Sequence, residues 1–140
     1  MASIFTKILQ GELPGEFVWK DELAVAFMSI APLKPGHTLV VPRAEVDHWI
    51  ELEPATLQHL AGVAHHVGKA IQSGFNPVKV GSTILGLEVP HVHIHVVPIW
   101  TPFDLDFANA DKHAKSEDIA SAAATIRDGL RALGCSEVSD

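Results

Sequence analysis

Three histidines recur at every second position in the segment His91-Val-His-Ile-His-Val-Val-Pro98. On an extended chain, alternate side chains face opposite ways. Val92, Ile94 and Val96 then point into a core, each worth about 1.5–3 kcal/mol on burial. His91, His93 and His95 form a row on the other face, with neighbours about 6.6–6.8 Å apart. Imidazole has an ordinary pKa close to neutrality. A rigid row of imidazoles can therefore give and take protons, and a neutral one can attack an electrophilic phosphorus or carbonyl. Nucleophilic catalysis is the favoured reading, and two others stand beside it. Histidines at i and i+2 can ligate zinc when a third ligand joins them, and His37 or Glu88 is available for that role. Three alternating histidines also fit the solvated face of an antiparallel sheet, although serine, threonine or lysine would serve such a face equally well.

The elements that must hold this row are legible along the chain. Ser3 to Gly11 reads as a short helix, capped by Ser3, with Ile4, Phe5, Ile8 and Leu9 on its apolar side and Gly11 at its end. Phe17–Lys20 and Leu23–Met28 read as a hairpin around Asp21-Glu22. His37–Val41, closed by Pro42, reads as a buried strand, and a short helix or turn is expected near Ala44–Trp49. A long helix is expected from Pro54 to about Ser73, with Gly74 as its stop and Leu57, Leu60, Ala61, Ala64, Val67 and Ile71 along one face. Residues 78–85 and 91–97 read as two further strands, and 101–115 as a polar stretch carrying Phe103 and Phe107, either a surface loop pinned by them or a substrate-proximal flap or dimer arm. A last helix runs from Glu117 to Leu133, capped by Ser116. Its stripe of Ile119, Ala123, Ile126, Leu130 and Leu133 reads as core packing, with a dimer contact as the lesser alternative.

Composition narrows the classes of function. The chain has 140 residues, the size of one domain spanning 1–140, with 47% hydrophobic and 19% charged residues, so a packed core is expected. The net charge of −7 and the absence of a basic cluster argue against a nucleic-acid partner. One cysteine, Cys135, excludes an internal disulfide and any zinc site built from several thiolates. No apolar run approaches the roughly 20 residues of a membrane span, and the N-terminus lacks a secretory h-region. The expectation is a soluble, cytoplasmic protein.

The histidine row, taken with its surroundings, resembles the histidine-triad (HIT) family. The resemblance rests on Ile4-Phe-x-Lys-Ile8, Gly11-Glu-Leu-Pro14, the Ala26-Phe27 strand, Pro35-Gly-His-Thr-Leu-Val-Val-Pro42 and Glu88-Val-Pro-His-Val-His-Ile-His95. It covers about residues 3–100 and leaves a C-terminal extension with a helix over about 116–134. It implies an α+β fold, with an antiparallel sheet of about five strands, one long helix and short N- and C-terminal helices. It also implies a homodimer whose sheets join, and hydrolysis or transfer at the α-phosphate of a small-molecule nucleotide with no cofactor. By the resemblance, His93 is the nucleophile and forms a nucleotidyl-histidine. The carbonyl of His91 holds the other nitrogen of His93, His95 contacts phosphate oxygens or the leaving group, and His37 supports the triad. Phe5, Ile8 and Phe27 fall where the family forms an apolar base slot, with core packing the first explanation of each. Ser29, Gly86 and Glu88 fall at further nucleotide-contacting positions.

Departures from the family pattern bear on the substrate. Ser29 stands where an acidic residue commonly holds the ribose diol, Val80 where asparagine is frequent, and Leu87 where glutamine is frequent. A serine cannot accept two hydrogen bonds from a vicinal diol as a carboxylate does. The expected substrate lacks that diol or presents it differently. Glu88 replaces a hydroxyl residue and is read either as a general acid or as an exposed loop carboxylate. Some members carry a structural zinc between cysteines flanking the N-terminal Ile-Phe. Ser3 and Thr6 occupy those places here, so no metal is expected.

Overall fold

The computed structural model describes residues 2–140. In chain order the elements are α1 (Ile4–Leu9), β1 (Phe17–Lys20), β2 (Ala24–Met28), β3 (Thr38–Pro42), α2 (Pro54–Phe75), β4 (Lys79–Thr83), β5 (Ile94–Ile99) and α3 (Ser116–Ala132). Single 3-10 turns lie at Trp49–Glu51, Pro102–Leu105 and Phe107–Asn109. The five strands form one antiparallel sheet in the order β1-β2-β3-β5-β4. The class and strand number match the sequence reading.

Register decides what each face of the sheet carries. Phe17 pairs with Phe27, Phe27 with Leu39, Leu39 with His95, and His95 with Thr83, so these five share one row on one face. Behind that row α1 seats Phe5 against Val25, Phe27, Leu39 and Val41. The opposite face, carrying Ala24, Ala26, Met28, Val40, Ile94 and Val96, packs under α2 and α3. Helices α2 and α3 approach closely because glycine lies at each contact. A Cβ on Gly129 would sit 2.9 Å from Ala70 Cβ, and one on Gly74 would sit 2.5 Å from Thr125 Cγ2.

Several boundaries differ from the sequence reading. Gly74 does not stop α2. The helix continues to Phe75, and Asn76 takes the left-handed conformation (φ 50°), a place asparagine tolerates. Gly74 is there for the helix contact instead. Ser116 lies inside α3 as its first residue, and Lys115 is the flanking residue with no side-chain cap. The turn expected near 44–49 forms at Trp49–Glu51. The strand expected at Leu23 starts at Ala24, because the Asp21 carboxylate accepts from both Leu23 N–H and Ala24 N–H (2.8 Å each) and closes the turn.

The largest correction concerns the histidine row. Strand β5 begins at Ile94, so His91 and His93 precede it. Continuing the β3–β5 ladder would set Val92 beside Pro42, which has no N–H to offer. Residues 91–93 turn to other partners: His91 N–H bonds Val89 O and Val92 N–H bonds Val46 O, both at 2.8 Å. The alternation survives, with Val92 in the helix-side core.

The C-terminal tail finishes the sheet. Lys20 N–H bonds Glu137 O (2.9 Å) and Ser139 N–H bonds Val18 O (3.1 Å), covering the outer edge of β1. Arg127 of α3 fastens this corner through Nε, which donates to Phe17 O and to Ser139 O at 2.8 Å each.

Candidate active site

His37, His91, His93 and His95 converge on the α1 side of the sheet, and all four are buried. They are not a row of equally spaced rings. The His93 and His95 centroids are 4.7 Å apart, closer than strand spacing allows, because His93 has left the ladder. Phe5 meets the His93 ring edge-on at 4.9 Å and Phe27 at 5.3 Å, forming an apolar wall.

The hydrogen-bond partners set the tautomers. Leu33 N–H donates to His37 Nδ1 (3.0 Å), so the His37 proton is on Nε2 and donates to His95 Nδ1 (2.9 Å). His95 in turn carries its proton on Nε2. His93 Nδ1–H donates to the His91 carbonyl (2.8 Å), which leaves a lone pair on His93 Nε2. His91 is spent at both ends: Nε2–H donates to Pro42 O (2.7 Å), and Nδ1 faces Ser3 Oγ at 2.8 Å. The site therefore offers one nucleophilic nitrogen beside one N–H donor. With the other imidazole nitrogens engaged, that pair is a poor metal chelate. Among the described residues no three His, Cys, Asp or Glu side chains converge as a metal site.

Burial keeps these rings neutral. It pushes His37 down to about 4, with the charge of His93 adding to the shift. Burial likewise pushes His95 to about 3, helped by His93 and His37. Burial lowers His93 as well, opposed by its bond to the His91 carbonyl and by the charge of Glu88. His91 is lowered by burial, against the Pro42 carbonyl and Glu45. Folding stability then depends on acid in a defined window. Above about pH 6.5 these histidines are neutral in both folded and unfolded chains. As pH falls below that value the unfolded chain takes up protons that the folded chain refuses, until His37 and then His95 protonate. Urea unfolding at about pH 4.5 is expected to show a few kcal/mol less stability than at about pH 7.5, with the loss diminished in His37→Gln. Equal stability at both pH values would contradict the burial of neutral imidazoles.

The other expected contact residues divide. Phe5 lies against His91 and His93 and Phe27 packs on Phe5, both buried in core packing. Ile8 packs half-buried in the same apolar cluster. Ser29 follows β2 at its open end, half-buried, with its hydroxyl accepting Ala31 N–H at 3.2 Å. Gly86 turns the loop before the triad with φ 72°. Glu88 is exposed on that loop, and its charge acts on His93. Leu87 beside it is 91% exposed. The Lys34 ammonium lies 5.8 Å from the centre of the Trp100 ring, which is partly exposed.

Phe107 reads in sequence as the pin of a surface loop or as part of a flap near the substrate, and its ring lies 4.7 Å from His95 and 6.3 Å from His37. Two aromatic residues in a polar stretch were the available signal. Glu45 accepts from the N-terminal segment that touches His91, and nothing in its neighbourhood marks it.

Comparison with known proteins agrees with this geometry. Residues 10–100 match the HIT domain, and the chain belongs to the histidine-triad family. An uncharacterized HIT-like protein of Methanocaldococcus jannaschii is 38% identical over 99 residues, covering 68% of this chain and 77% of that protein. The adenosine 5'-monophosphoramidase of Schizosaccharomyces pombe is 32% identical over 99 residues, covering 70% of this chain and 74% of that protein. Among solved structures, a hypothetical histidine triad nucleotide-binding protein of Sulfolobus tokodaii superposes with a TM-score of 0.79 at 28% identity, covering 93% of each chain. The family supports a nucleotide-binding or nucleotide-hydrolysing role.

The zinc that some members carry does not fit here. Ser3 and Thr6 present neutral hydroxyls where thiolates would bind. Ser3 Oγ already accepts Thr6 N–H (3.1 Å) and contacts His91 Nδ1. The place is filled by hydrogen bonds within the chain.

Proposed function

We propose that this protein hydrolyses nucleotide phosphoramidates or related nucleoside phosphates through a covalent nucleotidyl-histidine on His93. The observation that carries the reading is the 2.8 Å bond from His93 Nδ1–H to the His91 carbonyl, which leaves the Nε2 lone pair free to attack. Similarity to a phosphoramidase supports the substrate class. In the first step His93 Nε2 bonds to the α-phosphorus, and the bond from phosphorus to the leaving group breaks. The departing amine takes up a proton, for which Glu88 is the candidate acid. His95 Nε2–H donates to a phosphoryl oxygen as charge builds there. In the second step water attacks the same phosphorus and passes its proton to the Glu88 carboxylate left by the first step, while the bond from phosphorus to His93 Nε2 breaks, releasing the nucleotide and neutral His93. Phe5 and Phe27 wall the site, with Ile8 packed behind them. Ser29, Gly86 and Glu88 border the nucleotide, and the missing acid at Ser29 favours substrates that do not depend on a ribose diol.

The same reading includes a second copy of the chain. With β1 covered by the tail, β4 is the sheet edge that has no strand beside it among the described residues. Trp49, Leu57, Ala61, Ala64 and Val80 line a groove of about 810 Å³ between α2 and β4, and Ile50 nearby is 65% exposed. A homodimer joined along β4 and α2 would cover that surface. Light scattering at twice the monomer mass supports it, and a monomer at all concentrations opposes it.

The functional test is a hydrolysis panel with chelator present. It holds adenosine and guanosine phosphoramidates, dinucleoside polyphosphates and matched compounds without the ribose diol. Chelator-resistant turnover is expected, with the diol-free compounds retained as substrates. Tight binding without turnover would instead assign a nucleotide-binding role. Loss of activity in chelator would favour a metal-dependent hydrolase.

A further inference from the structure

The polar contacts behind His91 take no part in the reaction described above, yet they form one continuous chain to its nucleophile. Glu45 Oε1 accepts Ser3 N–H and Thr6 Oγ1–H, both at 2.6 Å. Thr6 N–H donates to Ser3 Oγ (3.1 Å), and the Ser3 hydroxyl proton is left for His91 Nδ1 at 2.8 Å. The Pro42 carbonyl can only accept, so it fixes the His91 proton on Nε2 (2.7 Å), and the Ser3 hydroxyl anchors the other side of the ring. The carbonyl of the same residue holds His93 Nδ1–H. Ser3 is 6% exposed and His91 fully buried, so water does not compete along the middle of this chain.

We propose that Glu45 and Ser3 are positioning residues for His93, acting through His91 as a clasp that fixes the ring and carbonyl which orient the nucleophile. This rests on His93 being the nucleophile. Helix α1 has six residues, too few to hold itself without tertiary contacts. Its place against the triad is set by Phe5 and by this clasp. The two bonds to Glu45 are charge-assisted, and they draw its carboxyl down to about 2, so the clasp is closed throughout the neutral range. The clasp crosses 42 residues of sequence between Ser3 and Glu45 and 88 between Ser3 and His91.

The test reads the rings directly and needs no substrate. Side-chain 15N–1H spectra report which imidazole nitrogen carries the proton. The whole protein is compared with Ser3→Ala, Glu45→Ala, Glu45→Gln and Leu9→Ala. Leu9 packs α1 against the sheet but lies outside the clasp. In the unaltered protein His91 is expected as the Nε2–H tautomer and His93 as the Nδ1–H tautomer. Ser3→Ala and Glu45→Ala are expected to shift and broaden the ring-nitrogen resonances of both residues, as the His91 ring loses its second anchor. Glu45→Gln retains an acceptor oxygen and is expected to restore the spectrum in large part. Leu9→Ala is expected to lower thermal stability while leaving both sets of ring resonances unchanged. In turnover assays the two alanine clasp variants are expected to lose about 10- to 100-fold in kcat with KM within about twofold. Unchanged ring resonances in both variants would overturn the proposal, as would an equal change in Leu9→Ala. Spectra that respond as described in a protein that turns over no nucleotide would uphold the clasp and reject the hydrolase reading.

Discussion

Replacement of His93 by alanine is expected to lower kcat/KM on the order of 10⁴-fold, the scale of losing a covalent nucleophile. The fold should survive, because the residue lies outside the β5 ladder and its side chain ends at the site. Its contact with Phe5 at 4.9 Å is the packing that is lost. Acid quenching of the unaltered protein incubated with nucleotide substrate should leave a nucleotidyl adduct on the peptide containing residue 93, seen by mass spectrometry, and the variant should show none. His93→Gly should recover part of its rate with added imidazole, which can occupy the vacated space and attack in its place. Retention of more than a tenth of the activity in His93→Ala would remove this residue from the nucleophile's role. An adduct on His95 instead would reassign the chemistry within the same site.

The largest expected loss of stability lies far from the histidines. Leu130 is fully buried between α3 and the core under α2. Leu130→Ala is expected to cost about 2–5 kcal/mol, through lost burial and the cavity left behind. The neighbouring helix cannot settle into that space freely, since Gly129 already brings α3 against Ala70. Leu133 continues the same sequence stripe but is 47% exposed, so Leu133→Ala is expected to cost under about 1 kcal/mol. Urea denaturation of the two variants separates them. Equal shifts would mean that α3 does not pack as described. A large shift only for Leu130 would make the C-terminal helix, which lies beyond the matched residues 10–100, an integral part of the core.

The site was legible in sequence to the extent that its chemistry is carried by residue type and spacing. Three histidines alternating with aliphatics announce one reactive face and one buried face, and the structure keeps that division. The segment Pro35–Pro42 announces a strand with a histidine at its start, and the structure brings His37 to His95. What the spacing did not convey is that the row is broken. A proline on the neighbouring strand ends the ladder, and His93 moves to within 4.7 Å of His95. The tautomers follow from Leu33, Pro42 and the His91 carbonyl, and main-chain partners leave no mark in residue type. The same holds for α2, where Gly74 looked like a terminator and is in fact a helix contact.

By itself, the sequence determined the family resemblance, with the antiparallel α+β class it implies, about five strands, and the histidines that the structure gathers at the candidate site. Those depend on local pattern: alternation of period two, helical stripes, and polar residues that an apolar face would not carry without cause. Only the tertiary structure decided which nitrogen is free, that Phe107 reaches His95, that residues 137–139 close the β1 edge, and that Glu45 is joined through Ser3 to His91. Each of these is a contact between segments far apart in the chain. Its energy depends on burial and on the direction of single hydrogen bonds, which no local stretch of residues records.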